Sequence, residues 1–466
     1  LESEPIYSKK RNFRKMKNKY LTLLLSLLLF GCEEFLDAKP DKALVVPKSL
    51  NDFRSLLDNT SVMNEFPSLG VIAAGDYYLE PEGINSLGAI VEKNTYTWEQ
   101  DLYGGTIFCP DWDVPFKQIF YANVTLEGLA KLKVEENERV LKENLEGSAY
   151  FFRAWAFFNL AQHFCQPGNI SSLSESPGIP LKLEADVSVK QPRSNLEDTF
   201  IQIINDLKKA VDLLPEESHY PARPDRIAAY AFLARVYHTL ENYEEALKYA
   251  NTCLSLKNEL LDYNTLNPAA TRPFPQGILG NHKEVIFYSR LINYGFFFSG
   301  VLFPNSALVN LFKDGDLRKN LFFHASTGRF IGSYTGDSRL FSGLSVDEII
   351  LIRAESYARL NQAENACEDL NRLLITRYKS GTYVPLKIAD KEELVRLILA
   401  ERRKQLFSRG LRWIDLRRTN SDPIYADTLH RVTGEGKITI YPNDTRYVLT
   451  IPDSEILRSG IEQNER

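Results

Sequence analysis

The sequence has no spacing that would hold a transition metal. Its six histidines, at 163, 219, 238, 282, 324 and 430, form no His-x(2–4)-His pair, and its five cysteines form no Cys-x-x-Cys pair. A phosphate-cradling Gly-Lys-Ser/Thr loop and a G-x-S-x-G elbow are missing as well. Asp314-Gly315-Asp316 lacks the alternating oxygen ligands of a calcium loop. No catalytic residue, metal or cofactor is therefore expected, and the chain does not read as an enzyme. The basic stripe of a nucleic-acid binder is also absent, since the formal net charge is −5. Membrane-spanning length is lacking too. The apolar stretch Leu21 to Phe30 would cover about 15 Å of helix, half of a hydrocarbon core of roughly 30 Å.

That stretch has another reading. MKNKY from Met16 supplies a basic n-region, Leu21 to Phe30 an apolar h-region, and Leu29-Phe30-Gly31-Cys32 resembles a bacterial lipobox, with Phe30 an unusual occupant. Residues 1–31 are read as an upstream extension, 1–15, followed by a lipoprotein signal peptide, with Cys32 the expected lipidated residue. Seven Lys/Arg and two Asp/Glu lie before Cys32, so the remaining 435 of the 466 residues carry a formal charge near −10. Cys165, Cys253 and Cys367 sit on apolar faces of helical patterns, where free cysteine behaves as a small hydrophobe. No disulfide framework is expected. One pair is left open, with Cys109 in a loop as its candidate.

Helical periodicity dominates the remainder of the chain. In RIAAYAFLARVYHTLENYEEALKYANTCLSL the small and aromatic residues Ala234, Tyr237 and Ala246 recur as Ala354, Tyr357 and Ala366 in VDEIILIRAESYARLNQAENACEDLNRLLITRY. Each segment reads as two antiparallel helices joined by a short polar turn, with small residues at close crossings: a tetratricopeptide-like hairpin. The copies stand 120 residues apart, so long insertions must separate them. FKQIFYANVTLEGLAKL with NLEGSAYFFRAWAFFNLAQHF makes a further helix pair, and NLEDTFIQIINDLKKAVDLL a helix that can pack on the first hairpin. QPGNISSLSESPGIPLKLEADVSVKQPRSN reads as loop with one short strand. Residues 59–111 and 262–345 are irregular and crowded with aromatics, and loops that long are usually functional. The expected fold is mainly α, with hairpins, long aromatic-rich insertions and few short strands.

Taken in order, CEEFLDAKPDKAL, WDVPFKQIFYANV, GSAYFFRAWAFFNLAQHF, HKEVIFYS, DLRKNLFF, EIILIRAESYARL and YVLTIPDSEILRSGIEQN resemble the SusD/RagB family of outer-membrane nutrient-binding lipoproteins from Bacteroidetes. The most specific stretch is ERRKQLFSRGLRWIDLRR, Glu401 to Arg418, in which Gln405 and Arg409 stand where the family usually has glutamates. The stretch reads as scaffold. Its seven Lys/Arg against two Asp/Glu are expected to meet the helix C-terminus and a neighbouring acidic surface. The resemblance implies one nutrient-binding domain over 32–466, with an N-terminal half at about 32–261 and a C-terminal half at about 280–466. It further implies a non-enzymatic receptor, lipid-anchored at the cell surface on the outer membrane, that delivers its ligand to a SusC-like TonB-dependent transporter. Glu33 and Glu34 fit the acidic export signals of such surface lipoproteins. The ligand is most often an oligosaccharide in that family, with peptides as an alternative. The competing class is a helical protein-interaction adaptor, which would need only the hairpin face.

A glycan receptor needs exposed aromatic faces to stack on sugar C–H patches, with polar groups beside them. Two loops offer that chemistry. One holds Tyr77, Tyr78, Trp98 and Tyr103; the other, NYGFFFSG, holds Tyr294 and Phe296 to Phe298. Trp98 leads the set because Glu99, Gln100 and Asp101 come directly after it as a wet rim. Trp112, at the start of a helix, is assigned to the core.

Overall fold

The computed structural model describes residues 47–168 and 173–466, so the lipobox, Cys32 and the expected signal segment lie outside the described residues. Helix α1, Pro110–Lys131, opens with proline in its first turn and Asp111 and Asp113 beside it, residues that suit a helix N-terminus. It lies against α2, Arg139–Phe164, in which every residue from Phe151 to Phe164 is buried. A helix enclosed on all sides belongs at the centre of a fold. Phe151 and Trp155 meet Phe287 at 4.9 and 5.4 Å between ring centroids, and Trp155 meets Phe232 at 5.0 Å. Trp112 packs on Phe164 at 4.9 Å, in the core as expected. On the other side lies α3, Leu196–Leu213, capped by Asn195 and tied to α2 where the Arg153 guanidinium grips Asp206 at 2.7 Å.

The two hairpins are α4, Arg226–Thr239, with α5, Tyr243–Leu256, and α6, Val346–Arg359, with α7, Ala363–Leu374. Ala234, Ala246, Ala354 and Ala366 are all fully buried, as close helix crossings require. The repeat extends to the turns. Glu241 and Asn361 occupy equivalent positions and both adopt the left-handed conformation, with φ of 58° and 61°. The hairpins pack on one another through α4, α5 and α6, where Arg235 pairs with Glu348 at 2.7 Å and His238 with Glu355 at 2.9 Å.

Strands are few and short, in five two-stranded pairs among the described residues. Glu65–Phe66 runs parallel to Arg290–Leu291, and Tyr77–Tyr78 runs antiparallel to Phe303–Pro304, which joins the two aromatic insertions. The Pro- and Ser-rich loop holds two strands rather than one, Pro177–Pro180 and Arg193–Asn195. Cys109, Cys165, Cys253 and Cys367 are buried and free; Cys109 forms no disulfide among the described residues. No helix among them is long and apolar enough to cross a membrane.

The Glu401 to Arg418 stretch spans the end of α8, Lys391–Gln405, and most of α9, Leu411–Thr419. Its cations do not point at an acidic surface, which corrects the expectation from sequence. Arg402 pairs with Asp415 inside the stretch, while carboxylates from distant segments take the others: half-buried Arg403 on Asp76, and buried Arg409 on Asp347 and Arg418 on Glu355. Burial forces the pairing, because an uncompensated charge in the interior is too unfavourable to persist. Gln405 takes the place of a carboxylate by working in both directions. Its amide N donates to Asp347 at 2.7 Å, while its carbonyl oxygen accepts from Arg318 and Arg377.

Burial lowers the pKa of three histidines in this interior, His163, His238 and His282. His163 is buried beside α9, with Nδ1 2.8 Å from the Asn159 carbonyl and no partner at Nε2. Burial lowers its pKa to about 4, with the Asn159 carbonyl opposing and Arg417 adding to the effect. Unfolded, the imidazole takes up a proton near 6.5. Between pH 6.5 and 4 the unfolded chain therefore binds the extra proton, and stability falls as the pH is lowered through that window. This one residue is expected to contribute about 3 kcal/mol of acid destabilisation. Urea unfolding at pH 7 and pH 4 should show His163→Phe losing less stability on acidification than wild type. Parallel losses in the two proteins would refute the assignment.

Candidate functional site

The second insertion forms the edge of a cleft of about 310 Å³. Its loop is fixed at both ends. At the start, the Tyr294 hydroxyl donates to Asp111 at 2.8 Å, and the same carboxylate accepts the Ser68 and Leu69 amides. Burial raises the Asp111 carboxyl to about 6 against those three hydrogen bonds. At the far end, Phe303–Pro304 pairs with Tyr77–Tyr78, and Asn305 donates to the carbonyls of Gly75 and Asp76. Buried Glu92 accepts the backbone amides of Gly295 and Phe296 in between.

That restraint sorts three consecutive phenylalanines. Gly295–Phe298 is a 3₁₀ turn in which Phe296 is fully buried, Phe297 half-buried and Phe298 45% exposed. Phe297 and Phe298 line the cleft, with Tyr77 beneath and Phe330 opposite. The Tyr77 ring meets Phe297 at 6.2 Å and Phe407 at 5.0 Å, and its hydroxyl lies 2.7 Å from Ser408 Oγ. Phe330 also rests on Phe407, at 5.0 Å. Phe407 and Ser408 come from the Glu401 to Arg418 stretch, so the scaffold directly supports the aromatic floor. Polar groups surround the rings: Thr271, Arg272, His324, Thr327 and Arg329. Arg329 donates to the carbonyls of Phe298 and Ser299, which pins the phenylalanine turn to the segment from His324 to Ile331.

The first insertion behaves differently from the expectation. Trp98 is 2% exposed, not an open platform. It ends the helix Ile90–Thr97 with a φ of 57°, and this left-handed backbone turns the indole inward, where Nε1 donates to the Ala73 carbonyl at 3.0 Å. Arg431 stacks over the ring at 4.1 Å. Glu99, Gln100 and Asp101 do line a shallow polar depression of about 610 Å³, without the Trp98 ring. Tyr103 is buried and donates to the Thr450 carbonyl at 2.6 Å. Tyr294 and Phe296 are buried as well, so these four rings are corrected from exposed platforms to supports. Tyr77 is buried at the cleft floor. Tyr78 is half-buried, donates to Glu80 and stands outside the cleft. Sequence reasoning overlooked Arg272, His324, Arg329 and Phe330. The signal for the last three was the turn HASTGRF, in which polar and cationic residues meet an aromatic.

The chain's relatives give this geometry a context. A family model described as "Starch-binding associating with outer membrane" matches residues 34–238, one described as "SusD family" matches 347–465, and a tetratricopeptide repeat model matches 227–260, over the first hairpin. Among curated proteins, the chain is 24% identical to SusD-like protein P38 of Formosa agariphila, over 87% of this chain and 92% of that one. It is 22% identical to SusD-like protein P2 of the same organism, over 96% and 98%. A putative sugar binding protein from Bacteroides vulgatus superposes with a TM-score of 0.70 at 20% identity, over 90% of this chain and 99% of that one. A SusD superfamily protein from Bacteroides thetaiotaomicron gives 0.70 and 20%, over 90% and 100%.

Proposed function

The chain belongs to the SusD/RagB family, and from that premise we propose that it is a glycan-binding protein whose site is the cleft between the Phe296 to Phe298 turn and Phe330. The observation that carries the reading is an exposed ring, Phe298, beside half-buried Phe297 and Phe330 and a rim of hydroxyl, imidazole and guanidinium groups. Flat apolar faces take the C–H patches of a sugar ring, and the rim fixes its hydroxyls. The protein is read as non-catalytic, with the mature domain starting at Cys32 and divided into halves at about 32–261 and 280–466. Cys32 would anchor it by lipid at the outer face of the outer membrane, from which it hands ligand to a SusC-like TonB-dependent transporter. The lipobox-like tetrad and the family match support that part.

Phe298→Ala tests the reading. Losing one stacking ring is expected to weaken oligosaccharide binding about tenfold, equivalent to roughly 1.4 kcal/mol. The melting temperature should stay within about two degrees, because truncating a largely exposed ring leaves no cavity. Calorimetric titration of a glycan that the wild type binds decides it. Unchanged affinity in Phe298→Ala would remove the cleft as the binding site.

A further inference from the structure

Resting on that reading of the cleft, we propose that its ligand is an anionic saccharide, one whose carboxylate or sulfate ester is gripped by Arg272 and Arg329. No aspartate or glutamate lines the cleft, although the chain as a whole is acidic. Two arginines and a histidine do line it. The protein elsewhere consumes its arginines. Those of the Glu401 to Arg418 stretch are engaged by carboxylates or carbonyls, down to Arg417 on the carbonyls of Tyr447 and Cys165. Arg272 is half-buried and makes no hydrogen bond or ion pair among the described residues. Burial lowers its pKa, Asp337 opposes that shift without closing an ion pair, and Arg329 adds to it, so the two guanidiniums feel one another. Arg329 commits only Nη2, to the carbonyls of Phe298 and Ser299.

Two guanidiniums that line one aromatic cleft repel one another, and an anion bound between them would relieve that repulsion. A guanidinium presents parallel N–H donors that match the paired oxygens of a carboxylate or sulfate. The adjacent phenylalanine faces would take the ring that carries the anion. A neutral sugar would use the rings and leave Arg272 without an ion-pair partner.

The test pairs each charged probe with its neutral counterpart: oligogalacturonides against their methyl esters, and sulfated galactan oligosaccharides against their desulfated forms. Binding to the full chain is measured by calorimetry in wild type, Arg272→Gln, Arg329→Gln and Phe298→Ala. At least one charged probe is expected to bind about tenfold tighter than its neutral form, with the advantage shrinking as salt is raised. Which pair shows it identifies carboxylate or sulfate. Arg272→Gln should abolish the advantage yet keep the melting temperature, since Arg272 bonds nothing in the fold. Charged and neutral forms binding alike, both weakened by Phe298→Ala, would overturn the anion proposal and leave the saccharide cleft standing. A charge preference that survives in both Arg272→Gln and Arg329→Gln would also overturn it. Failure of every probe to bind would overturn the anion proposal, while the cleft reading stands or falls with Phe298→Ala and a glycan that the wild type binds.

Discussion

Arg409→Ala is expected to destabilise the protein by about 3–5 kcal/mol, the range for removing one partner from a buried ion pair. Arg409 and Asp347 are both buried. Nη2 lies 3.1 Å from Asp347, Nη1 donates to Ser345 Oγ at 3.0 Å, and the guanidinium stacks 3.8 Å above the Tyr334 ring. The Tyr334 hydroxyl in turn lies between two carboxylates, 2.9 Å from Asp347 and 3.2 Å from Glu284, and its one proton serves the nearer. Burial alone would raise the Asp347 carboxyl; Arg409 and Arg377 outweigh it and hold the group well below its ordinary range. Without Arg409, two buried carboxylates face one another with Arg377 as the nearest remaining guanidinium. Adding Asp347→Asn to the alanine variant removes one of those charges and should recover part of the loss. Denaturant unfolding of the single and double variants measures both effects. A loss below about 1 kcal/mol in Arg409→Ala would mean that water reaches the site and the pair is not interior.

The hairpins were legible because helix crossings impose a period. Ala234 and Ala354 had to be small at fixed offsets from Tyr237 and Tyr357, and that arithmetic survives folding unchanged. The position of the binding loop was legible too, since NYGFFFSG puts more apolar surface into an insertion than a solvated loop needs. Which phenylalanine faces out was not. Only the 3₁₀ turn, set by Tyr294 on Asp111 and by Glu92 beneath, decides that Phe296 goes in and Phe298 out. The partners of the Glu401 to Arg418 cations were equally beyond reach. Asp76 and Arg403 are 327 residues apart, and no local pattern links them. Gln405 and Arg409, which break the family's usual glutamates, read as a defect in sequence and as complementary in space, because Asp347 supplies the carboxylate from another helix.

Trp98→Ala is expected to lose about 3–5 kcal/mol of stability while leaving saccharide binding in the folded protein unchanged. The indole is buried against the end of the helix Leu69–Ala73, whose last carbonyls need donors. Trp98 Nε1 supplies one, to Ala73, and Arg431 Nη2 supplies others, to Ile72 and Ala73. Arg431 is itself sandwiched, 4.1 Å from the Trp98 ring and 3.8 Å from Tyr96. Truncation thus opens a cavity, strips a hydrogen bond from a helix end and uncovers one face of a buried guanidinium. The backbone adds a finer test. At a φ of 57° any side chain with a Cβ is strained, so Trp98→Gly should relieve about 1 kcal/mol and be no worse than alanine despite its smaller side chain. Thermal and urea unfolding of the two variants gives the ranking, and titration below the transition gives the affinity. Wild-type stability with lost binding in Trp98→Ala would return the first insertion to the ligand and take the cleft's role away.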